Sequence, residues 1–152
     1  MWRENITPDF AKVGLEYRMR RFATDVLTAG GIGLEFRATA AQSDLRIGAD
    51  IRRQVFLIFK EAVNNIARHS GASLATVEFS VAQEHLVLQV TDNGTGFDPA
   101  GDAEGNGLFN IRKRASDLGG TAVFESLSDH GTTLTLRVPF TYQHWWGRKS
   151  GK

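Results

Sequence analysis

The sequence predicts an α/β two-layer sandwich: a mixed, mostly antiparallel five-stranded sheet with about three helices on one face. Three observations carry this expectation. Segments 9–28 and 51–69 repeat apolar residues at helical spacing. Runs 74–81 with 85–91, and 121–127 with 132–138, are β-rich pairs separated by short polar turns, as hairpins are. One further alternating run, 34–39, lies between the two long helical segments.

In the first helix Asp9 is placed to cap, and Phe10, Val13, Tyr17, Phe22, Val26 and Leu27 form a loose apolar stripe. Gly30-Gly31-Ile32-Gly33 ends it. The strand at 34–39 sets Leu34, Phe36 and Ala38 on one face. After a polar stretch at 40–48, Asp50 opens the most helical segment of the chain. Ile51, Val55, Phe59, Ala62 and Ile66 recur there, Ile58 and Val63 widen the face, and Ser70-Gly71 stops the helix after His69. Gln83-Glu84 turns the first hairpin. A glycine-rich loop covers 92–106, and a short basic helix follows at 108–118, stopped by Gly119-Gly120. Ser128-Asp129-His130-Gly131 joins the last two strands, and Pro139 closes the second. The tail is aromatic, then basic, and is expected to fray after Trp146.

Bulk composition narrows the function classes. At 152 residues the chain is the size of one domain and long enough to bury a core without staples. Its formal charge of +1 argues against a polybasic nucleic-acid or membrane-surface protein. It has no cysteine, which removes disulfides, thiolate zinc sites and cysteine nucleophiles. No apolar run approaches the roughly 20 residues of a spanning helix, and the first residues lack a signal-peptide layout. The expectation is a soluble, cytoplasmic domain, of a kind that a membrane protein can also carry.

Three features are not explained by packing. Residues four apart share a helix face, so Glu61, Asn65 and His69 form one polar line inside an apolar helix, with Arg68 beside it. Asn64 lies one residue off that line and receives no role. A lone Glu-x-x-x-Asn is usually a solvated face. Its functional alternative is a metal and water site, with the Asn65 oxygen as a hard ligand suited to Mg²⁺ and Glu61 as a group that holds or deprotonates a nucleophile. The second feature, Asp92-Asn93-Gly94-Thr95-Gly96, begins where a strand ends. It reads as a plain turn, or as a carboxylate that accepts from an exocyclic amine while the glycines let backbone approach a flat ligand. Its acidic spacing fails the calcium-loop template. The third, Gly105-Asn106-Gly107-Leu108, leads into a helix whose free N–H groups and dipole suit phosphates. It is neither a P-loop nor a dinucleotide fingerprint. Each feature is weak alone, but their order is far more specific.

In that order the segments resemble the nucleotide-binding domain of sensor histidine kinases, within the GHKL ATPase superfamily. The stretch 59–69 is similar to the family's N box, 92–96 to its G1 box, 105–108 to its G2 box, and 131–139 to its closing strand. The resemblance covers roughly 32–140 and implies the Bergerat ATP-binding fold, with ATP and Mg²⁺ as ligands. The short segment between Phe97 and Gly105 and the Arg-His end of the N box resemble the nitrate- and desaturase-type sensors.

The resemblance implies a division of labour. Glu61 is the catalytic carboxylate and Asn65 ligates Mg²⁺. Arg68 and His69 face phosphates or ribose. Asp92 reads the adenine amino group, and Gly94 and Gly96 floor its pocket. Gly105, Gly107 and the Leu108 amide hold phosphates under a lid that is mobile without nucleotide, and Thr132 reaches the adenine directly or through water. It also implies an organisation: an N-terminal helix at 1–30 left after a dimerisation and phosphoacceptor hairpin, the ATPase domain at 31–140, and a flexible tail at 141–152. The histidines are His69, His85, His130 and His144, and none fits the acceptor. The expected partners are therefore ATP, a dimerisation domain of the same protein that carries the acceptor, and a downstream response regulator, with no nucleic acid. The resemblance assigns dimerisation to that domain, so the parent is expected to be dimeric and this piece monomeric. Self-phosphorylation of this chain is not expected. An anti-sigma-type serine kinase of the same fold and a non-catalytic nucleotide-binding module stand as alternatives. The Trp145-Trp146 pair reads as sheet-edge cover rather than a docking patch, and Arg112-Lys113-Arg114 as a solvated face or dipole complement, with one of its arginines reaching phosphate as the alternative.

Overall fold

A computed structural model describes residues 14–39, 47–82, 84–96, 107–126 and 129–140. Three helices and five strands follow in the order α1 (Leu15–Ala29), β1 (Gly33–Ala38), α2 (Ala49–Asn65), β2 (Leu74–Ala82), β3 (His85–Asp92), α3 (Gly107–Asp117), β4 (Thr121–Ser126) and β5 (Thr132–Pro139). The Asp9 cap, Phe10, Val13, the loop at 97–106 with Gly105, and the tail with Trp145-Trp146 lie outside the described residues.

The sheet order is β1-β2-β3-β5-β4. β1 and β2 are parallel, and every other pair is antiparallel. Parallel neighbours need a long crossover, and α2 supplies it. The two hairpins close through left-handed residues at Glu84, and at Asp129 and Gly131.

Strand register lines the inner face in three rows that cross all five strands, with a shorter buried row, Val81–Leu86–Val138, beyond them. Ala38–Phe79–Leu88–Leu136–Ala122 and Phe36–Val77–Val90–Leu134–Phe124 are apolar throughout. The third row, Leu34–Ala75–Asp92–Thr132–Ser126, starts apolar and turns polar at β3. Leu15, Met19, Ala23 and Leu27 of α1, Val55, Ile58, Phe59, Ala62 and Val63 of α2, and Ile111 and Ala115 of α3 join the inner rows in one core. The outer face is polar. Arg37 bridges Glu78 at 2.8 Å and Glu35 at 3.1 Å, while Gln89 donates to Thr135 and Thr91 pairs with Thr133. These exposed ion pairs contribute at most about 1 kcal/mol. Their interest is that they leave only one face for the helices.

Two expectations need correction. The buried line of α1 is Leu15, Met19, Ala23 and Leu27, each four residues from the last. Tyr17 is 53% exposed and takes a hydrogen bond from Arg21. Met19 and Ala23 are less conspicuous than an aromatic ring, but their strict spacing gives the tighter seam. Phe22 and Val26 flank it and pack on the core from its edge. The second correction concerns the helix expected to run to His69. Its α-geometry ends at Asn65, and Ile66–Ser70 form a single π-turn capped by left-handed Gly71.

Candidate nucleotide site

The polar features gather at one end of the inner face. α2 puts Glu61 and Asn65 on adjacent turns of one face, and both are half-buried. α3 begins at Gly107 directly against them: a Cβ added there would lie 2.6 Å from Glu61 Oε2 and 3.5 Å from Asn65 Nδ2. A glycine lets the α3 N-terminus come this close without displacing the Glu61 carboxylate. Beside it a small cleft between α2 and α3 is lined by Leu57, Lys60, Glu61, Asn64, Asn110, Ile111 and Arg114. Arg114 donates to Gln54 at 2.8 Å and ties the two helices together along this cleft.

The second cluster sits at the polar end of the third row. Asp92 is the one buried charged side chain among the described residues, 7% exposed. Its Oδ1 accepts from the Gly94 N–H at 2.8 Å. Burial pushes its carboxyl above the usual carboxylate range, and the N–H groups of Gly94 and Thr132 pull in the other direction. Keeping a charge there is costly unless a ligand uses it. Thr132 stands directly opposite Asp92 in the β3–β5 register. Gly96 has a left-handed φ of 73°.

A set of hydrogen bonds fastens the two clusters together. The Thr95 N–H donates to the Ser70 carbonyl at 2.9 Å. Asn93 Oδ1 accepts from the N–H groups of Ser73 and Leu74, and its Nδ2 donates to Ser73 Oγ. Ser70 Oγ donates to Ile66 O and accepts from the Ala72 N–H, which closes the π-turn. Gly94 packs on the Ser70 backbone so tightly that no Cβ fits, and Gly131 packs likewise on the Asp92 backbone. The turn after β3 is thereby held against the end of α2.

Of the residues singled out from sequence, Glu61, Asn65 and Gly107 meet at α3, and Asp92, Gly94 and Thr132 meet at the sheet end. Leu108 lies half-buried in the first turn of α3. Arg68 and His69 are exposed on the π-turn. The i, i+4 rule that stacks Asn65 on Glu61 does not carry through a π-turn, so the expected line from Glu61 to His69 breaks after Asn65.

A sequence model described as "Histidine kinase-, DNA gyrase B-, and HSP90-like ATPase" matches residues 50–142, more than half of the chain. The chain belongs to this ATPase family. ATP is the nucleotide that such ATPase domains take. The sensor protein VraS of Staphylococcus haemolyticus (strain JCSC1435) is 37% identical over 97 residues, which is 63% of this chain and 28% of VraS. VraS of Staphylococcus aureus (strain COL) is 36% identical over the same length. This ATPase chain thus spans 28% of the length of the curated sensors it matches.

Solved structures agree on the fold. The histidine kinase domain of the Erythrobacter litoralis EL346 blue-light-activated kinase superposes with a TM-score of 0.69 at 18% identity, covering 84% of this chain and 62% of that one. The catalytic domain of histidine kinase ThkA gives 0.67 at 18% identity, covering 85% and 93%. Full-length ShkA, solved in complex with AMPPNP, gives 0.71 at 18% identity, covering 86% and 31%. Among the described residues no helix is long and apolar enough to cross a membrane.

Sequence reasoning missed Asn93, Ser70 and Ser126, whose hydrogen bonds hold the turn after β3, the π-turn and the β4–β5 end without carrying charge. Asn93 gave a signal, because an Asn inside a turn string is placed to cap backbone donors. Lys60 and Asn110 gave none, and Asn64 and Arg114 were noticed without a role, since the cleft that unites the four exists only once α2 and α3 are packed.

Proposed function

We propose that this domain binds Mg·ATP with adenine at Asp92 and phosphates at the start of α3. It then donates the γ-phosphoryl group to a histidine on the dimerisation domain of its parent protein, for relay to a response regulator. The observation that carries the proposal is the meeting of Gly107 with Glu61 and Asn65, which sets a helix N-terminus beside a carboxylate and a hard amide ligand. ShkA, a protein of the same fold, was solved in complex with AMPPNP, which supports a nucleotide as the ligand of this fold.

The residues present suit Mg²⁺. Among the described residues no three His, Cys, Asp or Glu side chains stand together as a cage. Mg²⁺ is the ion that needs no such cage, because it keeps waters and takes phosphate oxygens alongside one or two protein ligands. Asn65 would hold it, with Glu61 adjacent. Bound there, Mg²⁺ would supply positive charge to offset that of the phosphates.

The chain's own residues do the rest. Asp92 and Thr132 fix the base, Gly94 and Gly96 leave room for it, and Gly107 and the Leu108 amide face phosphate oxygens, a role the resemblance extends to Gly105. Arg68 and His69, exposed on the π-turn, lie on the ribose and phosphate side. A neutral imidazole is already a nucleophile, so positioning supplies most of the rate. Its nitrogen lone pair forms the N–P bond as the P–O bond to ADP breaks and that electron pair leaves with ADP. The N–H on the other ring nitrogen gains acidity as the ring becomes cationic, and Glu61 accepts a hydrogen bond from it.

The test is phosphotransfer from radiolabelled ATP to the separately produced dimerisation domain of the parent protein, with and without Mg²⁺. Acid-labile label on the acceptor, lost in Glu61→Gln with ATP binding kept, is the expected result. Acid-stable label on serine, or wild-type transfer by Glu61→Gln, overturns it.

A further inference from the structure

Ser126 Oγ lies 3.1 Å from the Gly131 carbonyl oxygen and 2.9 Å from Thr132 Oγ1. A carbonyl only accepts, so the Ser126 proton goes to Gly131. A hydroxyl has a single proton and two lone pairs. The proton in the Ser126–Thr132 bond must therefore come from Thr132. Thr132 is left with lone pairs alone to offer a ligand.

Its neighbour across the strands offers the same. Thr132 and Asp92 are direct register partners on the inner face, a relationship that places their Cβ atoms roughly 4.5–5.5 Å apart. An ionised carboxylate only accepts, and one Asp92 oxygen is occupied by the Gly94 N–H. Two acceptors within reach of one group match an amine that carries two N–H bonds. They repel a carbonyl oxygen in the same position. We infer that Ser126 is a specificity-determining positioning residue: by holding the Thr132 hydroxyl as an acceptor, it makes the Asp92–Thr132 pair select a 6-amino purine over a 6-oxo purine. This rests on the placement of adenine at Asp92 proposed above.

The test measures ATP and inosine triphosphate dissociation constants by calorimetry for wild type, Ser126→Ala and Ser126→Thr. Without Ser126 the Thr132 hydroxyl is free to turn and donate to a 6-oxygen. Ser126→Ala is therefore expected to keep ATP binding while its preference for ATP over inosine triphosphate falls by about tenfold, the scale of one hydrogen bond. Ser126→Thr retains the hydroxyl and should hold the wild-type ratio. A general loosening of the strand would weaken both nucleotides together and leave the ratio unmoved, which overturns the inference. Should Ser126→Ala fail to fold, Ser126→Cys, a near-isostere with a weak donor, replaces it with the same shift expected. Asp92→Asn separates the two readings. If it binds ATP like wild type, the adenine placement fails and the inference with it. If it loses ATP while Ser126→Ala keeps the wild-type ratio, only the inference fails.

Discussion

Gly107 and Glu61 touch: the first residue of α3 leaves so little space that an added Cβ would stand 2.6 Å from Glu61 Oε2. The obstacle is the tip of a flexible side chain rather than backbone, and Gly107 is not left-handed. Gly107→Ala is thus tolerated by the fold, and a helical alanine in place of glycine stabilises by about 0.4–1 kcal/mol where the backbone permits it. The carboxylate, however, must move. The expected outcome is an unchanged or slightly raised melting temperature with phosphotransfer lowered by up to about a hundredfold, the scale of a misplacement of about 1 Å. Melting by circular dichroism and single-turnover transfer to the dimerisation domain check the two halves. A loss of stability equal to the loss of transfer would mean that Gly107 serves the fold alone.

Gly94 makes the opposite case. The obstacle there is the Ser70 backbone, which cannot swing aside without disturbing the Thr95–Ser70 hydrogen bond and the π-turn behind it. Gly94→Ala is expected to destabilise the domain by about 1–3 kcal/mol, as overpacking does. ATP affinity should fall with it, because the Gly94 N–H orients Asp92. A urea midpoint equal to wild type, at an equal slope, would show that the turn does not lean on the end of α2.

These two glycines show where sequence reasoning succeeds and where it stops. The hairpins and the end of β3 at Asp92 follow from period and turn residues, because each is local; the parallel pairing of β1 with β2 across α2 joins segments about 40 residues apart and was not legible. The seam of α1 was harder. Tyr17 looks more like core than Met19 or Ala23, yet strict i, i+4 spacing decides which side faces the sheet. The π-turn at Ile66–Ser70 has no periodic signature, since one extra residue per turn shifts the apolar pattern too little to detect. Glu61, Asn65 and Asp92 were legible as polar residues in apolar surroundings. Asn93, Ser70 and Ser126 were not, because each acts through a partner remote in the chain. The cleft beside Glu61 needs two helices at once, and no single segment announces it.

Asp92 sets stability against binding. Its carboxyl is raised above the usual value of 3.8 because burial disfavours the charge. A group raised on folding adds its stability below its unfolded value, and that contribution is lost as pH rises through the folded value. At neutral pH the ionised side chain therefore weighs against the ligand-free fold. Asp92→Asn keeps an acceptor for the Gly94 N–H and removes the charge. It should be at least as stable as wild type at neutral pH, with the advantage disappearing once wild type is protonated near and below the ordinary carboxylate range. ATP binding should be lost in the variant. In wild type it should weaken as pH falls through the raised value, because a protonated Asp92 presents a donor to the amine. Urea titrations and calorimetry at several pH values measure both trends. A variant less stable than wild type at neutral pH would contradict the burial account.

The last prediction concerns where the domain begins. The sequence match starts at residue 50, yet the EL346 kinase domain covers 84% of this chain, which draws in elements that precede the match. α1 explains the difference. Leu15, Met19, Ala23 and Leu27 are fully buried in the same core as α2 and the sheet. Its outer edge is fixed by Phe22 against Phe56, edge to face at 6.1 Å, with the Arg18 guanidinium 4.4 Å from the Phe56 ring centroid. An N-terminal helix that merely trailed from a preceding hairpin would not bury four residues in a line. A chain truncated to 31–152 would expose that seam and the α2 face beneath it. It is expected to be insoluble or unfolded, whereas Met19→Ala in the full chain should fold with a loss of about 2–5 kcal/mol, the range for emptying a fully buried site. Hydrogen exchange places the same boundary independently. Amides of α1 should be protected to the level of β2 and β3, because the core that shields them opens only when the whole domain unfolds. If α1 exchanged freely while the sheet stayed protected, or if 31–152 melted cooperatively at the wild-type temperature, the ATPase core would begin at β1, and the burial of Met19 would contribute nothing to its stability.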